Sequence, residues 1–568
     1  MTPPPLHPAP GQRPLGRTAV LVVMLRVLRA LVGAYLGACV TGHALAQTTS
    51  FAQLEAAGAR IGQIHILNQD IFDLADPAEN NALFRLANAL HPKTRPEVIR
   101  SQLLFKPGDA VAVRVMEETE RLLRTNRYLY DVQLRPIAPP GGAANVVDIE
   151  VMTRDTWTLD PGASFARAGG ANSSSVSIKE YNLLGTGLAV GYSRINEVDR
   201  SGNEFQLEYN HALDGWTQLA YSVADNTDGK RQALSVIRPF YALDTRWAAG
   251  ARFSQDNRID SAYTAGNVTS QYRHRQDSAE LFAGWSPGLQ NGRAHRYSIG
   301  LSAKDDAFAP EPALVAPPLL PAGQKTVAPF VRYEWVEDDF QQLNNRNQIG
   351  RPEFFARGLA ATVQIERALP ALGSSQDLWL YSGSISKGFR FQGEQDLFAS
   401  AAVSGQYGSG QVQRQTASTA LRYYLPLNKR YLAYAAFTAD VLTNPQTTDY
   451  LTLGGDTGLR GYPLRYQSGD QRALLTLEAR GFSDLYLLRL FRVGGAAFYD
   501  VGRAWGGQNA SLAANGNTDW LSNIGVGLRI SSTRTAFGNV LHIDLAVPAN
   551  RAGDISAVQL VVKTKASF

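Results

Sequence analysis

The residues whose types and spacing could do chemistry lie near the C-terminus. "LGGDTGLRGYPLRYQSG", Leu453 to Gly469, presents Arg460 in a glycine-rich loop beside Gly461 and Tyr462. "FYDVG", Phe498 to Gly502, presents Asp500 inside a segment that alternates apolar and polar residues. A guanidinium carries a planar fork of donors that fits one carboxylate or bridges two. Glycines at 455, 458 and 461 let a backbone approach a neighbouring wall closely. The chemistry on offer is an ion-pair lock rather than bond making. Parity supports it: with Phe498, Asp500 and Gly502 on one face, Ala497, Tyr499 and Val501 take the other. In the preceding "LLTLEAR", Thr476, Glu478 and Arg480 then share the side of Asp500, so Glu478 is a second carboxylate for Arg460. Two other readings stand: Arg460 and Asp500 form a static clamp of the fold, and Glu478 pairs near Arg480 rather than with the loop.

Bond-making chemistry finds no footing in the motifs. There is no "HExxH", "GxSxG" or Walker loop, and His65, His91, His211, His274, His295 and His542 show no metal-ligand spacing. The expectation is a protein that is not an enzyme, with no cofactor and no metal.

The elements that must position the lock begin after a leader. Ala30 to Val40 is an apolar run preceded by Arg13, Arg17, Arg26 and Arg29 and followed by Ala44, Leu45 and Ala46, which reads as an export signal cut after Ala46, residues 1–46. The start is Met1 or Met24, the latter giving a compact signal. "LGAC", Leu36 to Cys39, offers the alternative of a lipoprotein signal. Cys39 is the single cysteine of the 568 residues, so the exported chain has neither disulfides nor thiolate metal sites. The formal charge of +5 falls to +1 without the leader's arginines, which removes the electrostatic basis for nucleic-acid binding. After Val40 no apolar run reaches the ~18 residues of a membrane-spanning helix. A membrane protein of this sequence must therefore be a closed barrel.

Residues 47–158 read as a small α+β domain. "IGQIHIL", Ile61 to Leu67, is a strand, and Val113 to Asn126 is a helix with Val115, Met116, Thr119, Leu122 and Leu123 on one stripe. Tyr128 to Ile137 and Val146 to Arg154 follow as paired strands, and the insert Ile71 to Thr94 adds a helix near Asn81 to Leu90. From 159 to 568 short alternating segments repeat, as in "FQLEYNH", "RYSIGLSAK" and "VLHIDLAV", where one face is apolar and the other polar. That pattern suits strands of ~9–11 residues between lipid and a wet lumen. A charged fraction of 18% is low for a soluble surface, and 23 tyrosines and 23 phenylalanines supply aromatic girdles. A soluble sandwich is the alternative. Asp305 to Ala328, with prolines at 310, 312, 317, 318 and 321, reads as a long exposed loop.

These motifs resemble a known set. "LFKPGD", Leu104 to Asp109, and "LLRTNRYLYDVQL", Leu122 to Leu134, resemble a polypeptide-transport-associated (POTRA) domain, with Asn126 at a position usually held by glycine and able to take its left-handed conformation. "EYNLLGTG", Glu180 to Gly187, "GLRGYP", Gly458 to Pro463, "FYDVG" and the terminal Phe568 resemble the BamA/TamA superfamily of outer-membrane assembly barrels, which includes the two-partner secretion translocators. The resemblance implies a mainly β fold: a transmembrane antiparallel β-barrel of about 16 strands behind a POTRA-like domain. Counting alternating segments allows up to about twenty.

It also implies the outer membrane of a Gram-negative bacterium, a POTRA-like domain in the periplasm, and unfolded or exported outer-membrane polypeptides and outer-membrane lipid as partners. Gly502 and Phe498 complete the lumenal loop lock. The candidate barrel seam comprises Phe165, Gly169, Gly170, Leu560 and Phe568, where a sparsely paired join would expose strand edges to an incoming strand. The function implied is insertion or translocation of polypeptides. Alternatives are a passive pore or structural barrel, or a dedicated two-partner secretion translocator. A single POTRA-like domain argues against a central, essential assembly role.

Overall fold

The computed structural model describes residues 50–138, 145–264, 266–312, 314–446, 449–507, 519–534, 540–550 and 555–565, without the side chains of 163–165 and 264. The leader, Phe568 and the Phe165 side chain lie outside the described residues.

The N-terminal part is built on α1 (Phe51–Ala56), β1 (Arg60–Gln69), α2 (Ala82–Leu90), α3 (Pro96–Arg100), α4 (Val113–Leu123), β2 (Leu129–Ile137) and β3 (Val146–Asp155). The sheet order is β1-β3-β2, with β3 parallel to β1 and antiparallel to β2, so β1 and β2 are its edges. The stripe expected on α4 delivers Met116, Thr119 and Leu123 to a core with Ile61, Ile99, Leu129, Val132, Ile149 and Val151. α2 starts on Asn81, whose side chain accepts from the Phe84 N–H, and this cap terminates the preceding turn. Asn126 departs from expectation: it is not left-handed. Its buried amide instead donates to the Leu123 carbonyl at 3.0 Å and to Gln102 Oε1 at 2.6 Å, so hydrogen bonding rather than backbone freedom explains the residue.

Behind this domain 20 antiparallel strands close a barrel, running from Leu159–Ala168 to Gln559–Lys565. The expectation of about sixteen is corrected upward. Segments that could have been bent continuations are separate strands because left-handed pairs reverse the chain between them. Asn291 and Gly292 (φ 51° and 75°) and Ser409 and Gly410 (φ 51° and 79°) have the positive φ values that tight hairpins need. The proline-rich loop is also shorter than expected. Strands Arg293–Pro310 and Gln324–Glu337 still pair at Asp305 with Lys325, which confines the loop to 311–323.

Parity builds the wall. Ile299, Leu301, Val331, Val363, Ile365, Val526, Leu545 and Val547 all point outward and are exposed, forming an apolar belt with no water-facing purpose. Aromatic rings rim it. Trp247, Trp285, Tyr297 and Tyr333 are register neighbours at the end near the α+β domain, and Trp379 pairs with Tyr407 at the other. No helix among the described residues is long and apolar enough to cross a membrane.

The α+β domain is tied to the near rim. Arg95 N donates to the Gly185 carbonyl at 2.9 Å, and Asn182 Nδ2 to Thr94 Oγ1 at 2.8 Å, which gives the "EYNLLGTG" turn a docking role. A Cβ at Gly185 would sit 2.2 Å from the Lys93 carbonyl oxygen, so only glycine permits this approach. Further ties run from Asn126 Oδ1 to His211 Nε2 at 2.9 Å, from Leu243 N to Glu118 at 2.8 Å, and from Arg534 to Glu79 and the Ile71 carbonyl.

Candidate functional site: a lumenal lock beside the barrel join

The loop between strands Tyr431–Thr443 and Gln471–Leu487 folds back into the barrel from the far end. A short ladder of Leu451–Leu453 with Gln467–Gly469 narrows its neck. Leu453, Leu459, Tyr462 and Tyr466 then bury together against Ala504, Leu521 and Ile555, so the loop carries its own apolar anchor into the lumen. Gly461 lies so near the wall that a Cβ would meet Asn523 Cβ at 2.6 Å, while its N–H donates to Asn523 Oδ1 at 3.0 Å. Tyr462 donates its hydroxyl to the Ser522 carbonyl at 3.0 Å.

This anchoring puts Arg460, only 5% exposed, among lumen-facing carboxylates. Its Nε and Nη2 donate to the two oxygens of Asp500, both at 2.8 Å. Nη1 donates to Glu478 at 3.0 Å and to Asp544 at 3.3 Å. The guanidinium also lies 3.4 Å over the Phe498 ring, a cation–π contact. Glu478 meets the loop through Arg460, while its other oxygen accepts from Arg480 Nε at 2.8 Å. Asp500 is further held by Thr476 Oγ1 and Asn523 Nδ2, each at 2.9 Å. Gly502 pairs with Leu474 in the ladder and leaves room for Leu453 of the loop.

The structure places Arg460, Gly461, Tyr462, Glu478, Phe498, Asp500 and Gly502 around one spot, the set named by the sequence reading. That reading missed Asp544, Asn523 and Gly525, the last of which gives the Phe498 ring its space. The signal for Asp544 was present in "VLHIDLAV", where it shares the inward parity of His542.

The same loop reaches the join between the first and last strands. Among the described residues the ladder of Leu159–Ala168 with Gln559–Lys565 reduces to one pair, Arg167 with Val562. Gly169 and Gly170 (φ 55° and 85°) turn the first hairpin, and the Leu464 N–H of the loop donates to the Gly169 carbonyl at 3.2 Å. From the other side of the join, Lys563 Nζ donates to the carbonyls of Gly455 and Asp456, each at 3.2 Å. Ala168, Leu464 and Val561 bury one another across it. Leu560, the remaining candidate for the join, faces outward opposite Leu545.

A second inward element had no signature in the sequence. Between strands Gln324–Glu337 and Ala360–Ala368 a hairpin, Phe340–Asn344 with Pro352–Ala356, enters from the domain end. Its Ile349 packs on Tyr424, Leu432 and Phe482 of the wall. Arg346, buried, pairs with Asp396 at 3.2 Å, and its carbonyl accepts from Arg480 Nη1 at 2.9 Å. Glu353 accepts from the N–H groups of Arg346, Asn347 and Gln348 and so shapes the tip. An unbroken chain of polar contacts thus runs from the loop through Arg460, Glu478 and Arg480 to the hairpin.

No protein-family model and no curated protein matches the chain. Among solved structures it is similar to BamA from Haemophilus ducreyi lacking POTRA domains 1-3, at 13% identity over 88% of this chain and 84% of that one, with a TM-score of 0.37. It is similar to CdiB from Acinetobacter baumannii at 13% identity over 89% and 73%, TM-score 0.42. It is also similar to CdiB from Escherichia coli at 14% identity over 90% and 77%, TM-score 0.46.

Proposed function

We propose that this chain is an outer-membrane barrel of the BamA/TamA type that assists insertion or translocation of other polypeptides, with its α+β domain acting as a POTRA-like client-binding module in the periplasm. The observation that carries this reading is the join: among the described residues an otherwise continuous ladder closes through the single pair Arg167 with Val562. A strand pair held so sparsely leaves N–H and C=O groups of both strands available to template an incoming strand. The edge strand β2 offers a second such edge to an extended client before it reaches the membrane. The loop keyed by Arg460 touches both sides of the join, so its release would loosen the closure.

A passive pore is less well supported, because the loop enters the lumen from one end and the hairpin from the other. The test uses the absence of cysteine after the leader. With Arg167→Cys and Val562→Cys introduced together, oxidation should close the join covalently and stop delivery of outer-membrane polypeptides in cells, and a reductant should restore it. Undiminished delivery by fully oxidised protein would show the proposal to be wrong.

A further inference from the structure

A cavity of about 630 Å³ lies between α4 of the POTRA-like domain, the inward hairpin and the near rim of the barrel. Its lining combines guanidinium groups from Arg121, Arg127, Arg296 and Arg351 with the rings of Phe340 and Phe354. The carboxylates in this lining are already engaged. Glu118 holds Arg114 and the Leu243 N–H, and Glu353 holds the N–H groups of the hairpin tip. Arg121, Arg127, Arg296 and Arg351, by contrast, form no ion pair among the described residues. Arg121 lies 3.8 Å over Phe340, Arg127 5.5 Å over Tyr181, Arg296 5.2 Å over Phe240 and Arg351 5.6 Å over Tyr130. Arg296 Nε is buried and donates to no described group.

A guanidinium lying over a ring can still turn in-plane donors to a carboxylate; one donor of Arg296 is taken by the Ala242 carbonyl at 3.3 Å. Arg121, Arg124, Arg127, Arg296 and Arg351 outnumber the two carboxylates of the lining, Glu118 and Glu353, so an arriving carboxylate would relieve the excess positive charge of a partly dehydrated site. The volume falls within the ~300–1,000 Å³ of ligand sites. Arg296 and Val336 face the lumen, on the parity opposite to Tyr297 and Trp335, so the cavity opens toward the barrel interior rather than the lipid belt. A lipid headgroup would have to leave the membrane to reach it. The apolar walls of Leu122, Pro352, Phe340 and Phe354 suit side chains more than a bare inorganic anion.

The geometry points to a binding site for an extended peptide segment that carries carboxylate side chains next to apolar ones, seated between α4 and the hairpin as it passes toward the lumen. This rests on the client-handling reading and names the chemistry of the segment held. Occupancy would draw the Arg351 wall of the hairpin toward the ligand, so the site and the Arg346 latch share one element.

Full-length protein in detergent micelles should bind a short fluorescein-labelled peptide alternating glutamate with phenylalanine, read by anisotropy. The glutamine counterpart should bind at least about tenfold more weakly, and added salt should weaken the acidic peptide more than the neutral one. Arg351→Gln and, on the opposite wall, Arg121→Gln should each weaken the acidic peptide by about tenfold, while Arg351→Lys retains part of the affinity. Either variant that fails to show the heat-dependent gel shift of a folded barrel is replaced by the other. Equal binding of acidic and neutral peptides, indifference to both glutamine variants, or displacement by inorganic phosphate as efficient as by peptide would overturn the inference. Should the peptide fail while outer-membrane polypeptides still crosslink to β2, this inference falls and the client-handling reading stands.

Discussion

Arg460→Ala should release the lumenal loop, and the structure sets the scale. The guanidinium is buried, makes a two-pronged bond to Asp500 at 2.8 Å, and reaches Glu478 and Asp544. Glu478 keeps Arg480 and Asp544 keeps Arg529 after the change, so Asp500 loses most, retaining only the neutral donors of Thr476 and Asn523. Leaving one partner of a buried pair uncompensated costs about 3–5 kcal/mol. If that loss falls on loop docking, the undocked population rises by about 10²–10⁴-fold. Trypsin reads this, because Arg465 lies in the same loop, where its side chain pairs with Asp199 and lies over Tyr263 in the docked state. Cleavage after Arg465 should be slow in the native protein and fast in Arg460→Ala. Adding Asp500→Asn removes the stranded charge, and the double variant should recover about 1–3 kcal/mol relative to the sum of the single effects in urea unfolding from lipid vesicles. Strict additivity, or a loop in Arg460→Ala as resistant as in the parent, would refute the reasoning that a shared buried charge cluster holds the loop.

Other outcomes follow from the same geometry. Val526→Arg places a charge on the outward face, where Val526 is 59% exposed, and should cost about 2–4 kcal/mol of stability in lipid if that face meets hydrocarbon; vesicle unfolding measures it. Arg346→Ala strands the buried Asp396 and should free the inward hairpin, seen as raised ion conductance in planar bilayers with the loop still trypsin-resistant. Asn126→Ala removes bonds to Leu123, Gln102 and His211, and should weaken docking of the α+β domain by about 1–2 kcal/mol, read as faster hydrogen exchange in α4 with unchanged exchange in the barrel strands.

How much was legible can be judged residue by residue. Period two in "FYDVG", "LLTLEAR" and "VLHIDLAV" set which side chains share a face, because a strand has no other way to place them. That is why Arg460, Glu478 and Asp500 emerged together. Strand number was less accessible, since an alternating run continues through a bend but not through a reversal, and the two differ only in φ at residues such as Ser409 and Gly410. The arginines of the cavity were invisible for another reason. Arg121 and Arg351 are separated by more than two hundred residues, and each alone reads as an ordinary solvated cation.

The sequence by itself determined the alternation of wet and apolar faces, the α+β pattern ahead of them, and the shared face of Glu478 and Asp500, all of which rest on local periodicity and charge. Only the tertiary structure decided that the barrel closes at 20 strands, that its join narrows to Arg167 with Val562 among the described residues, and that a hairpin enters opposite the loop. Closure and plugging depend on which distant backbone edges meet and on what volume the finished wall leaves inside. No stretch of neighbouring residues carries that information, because it arises only when all the strands are paired at once.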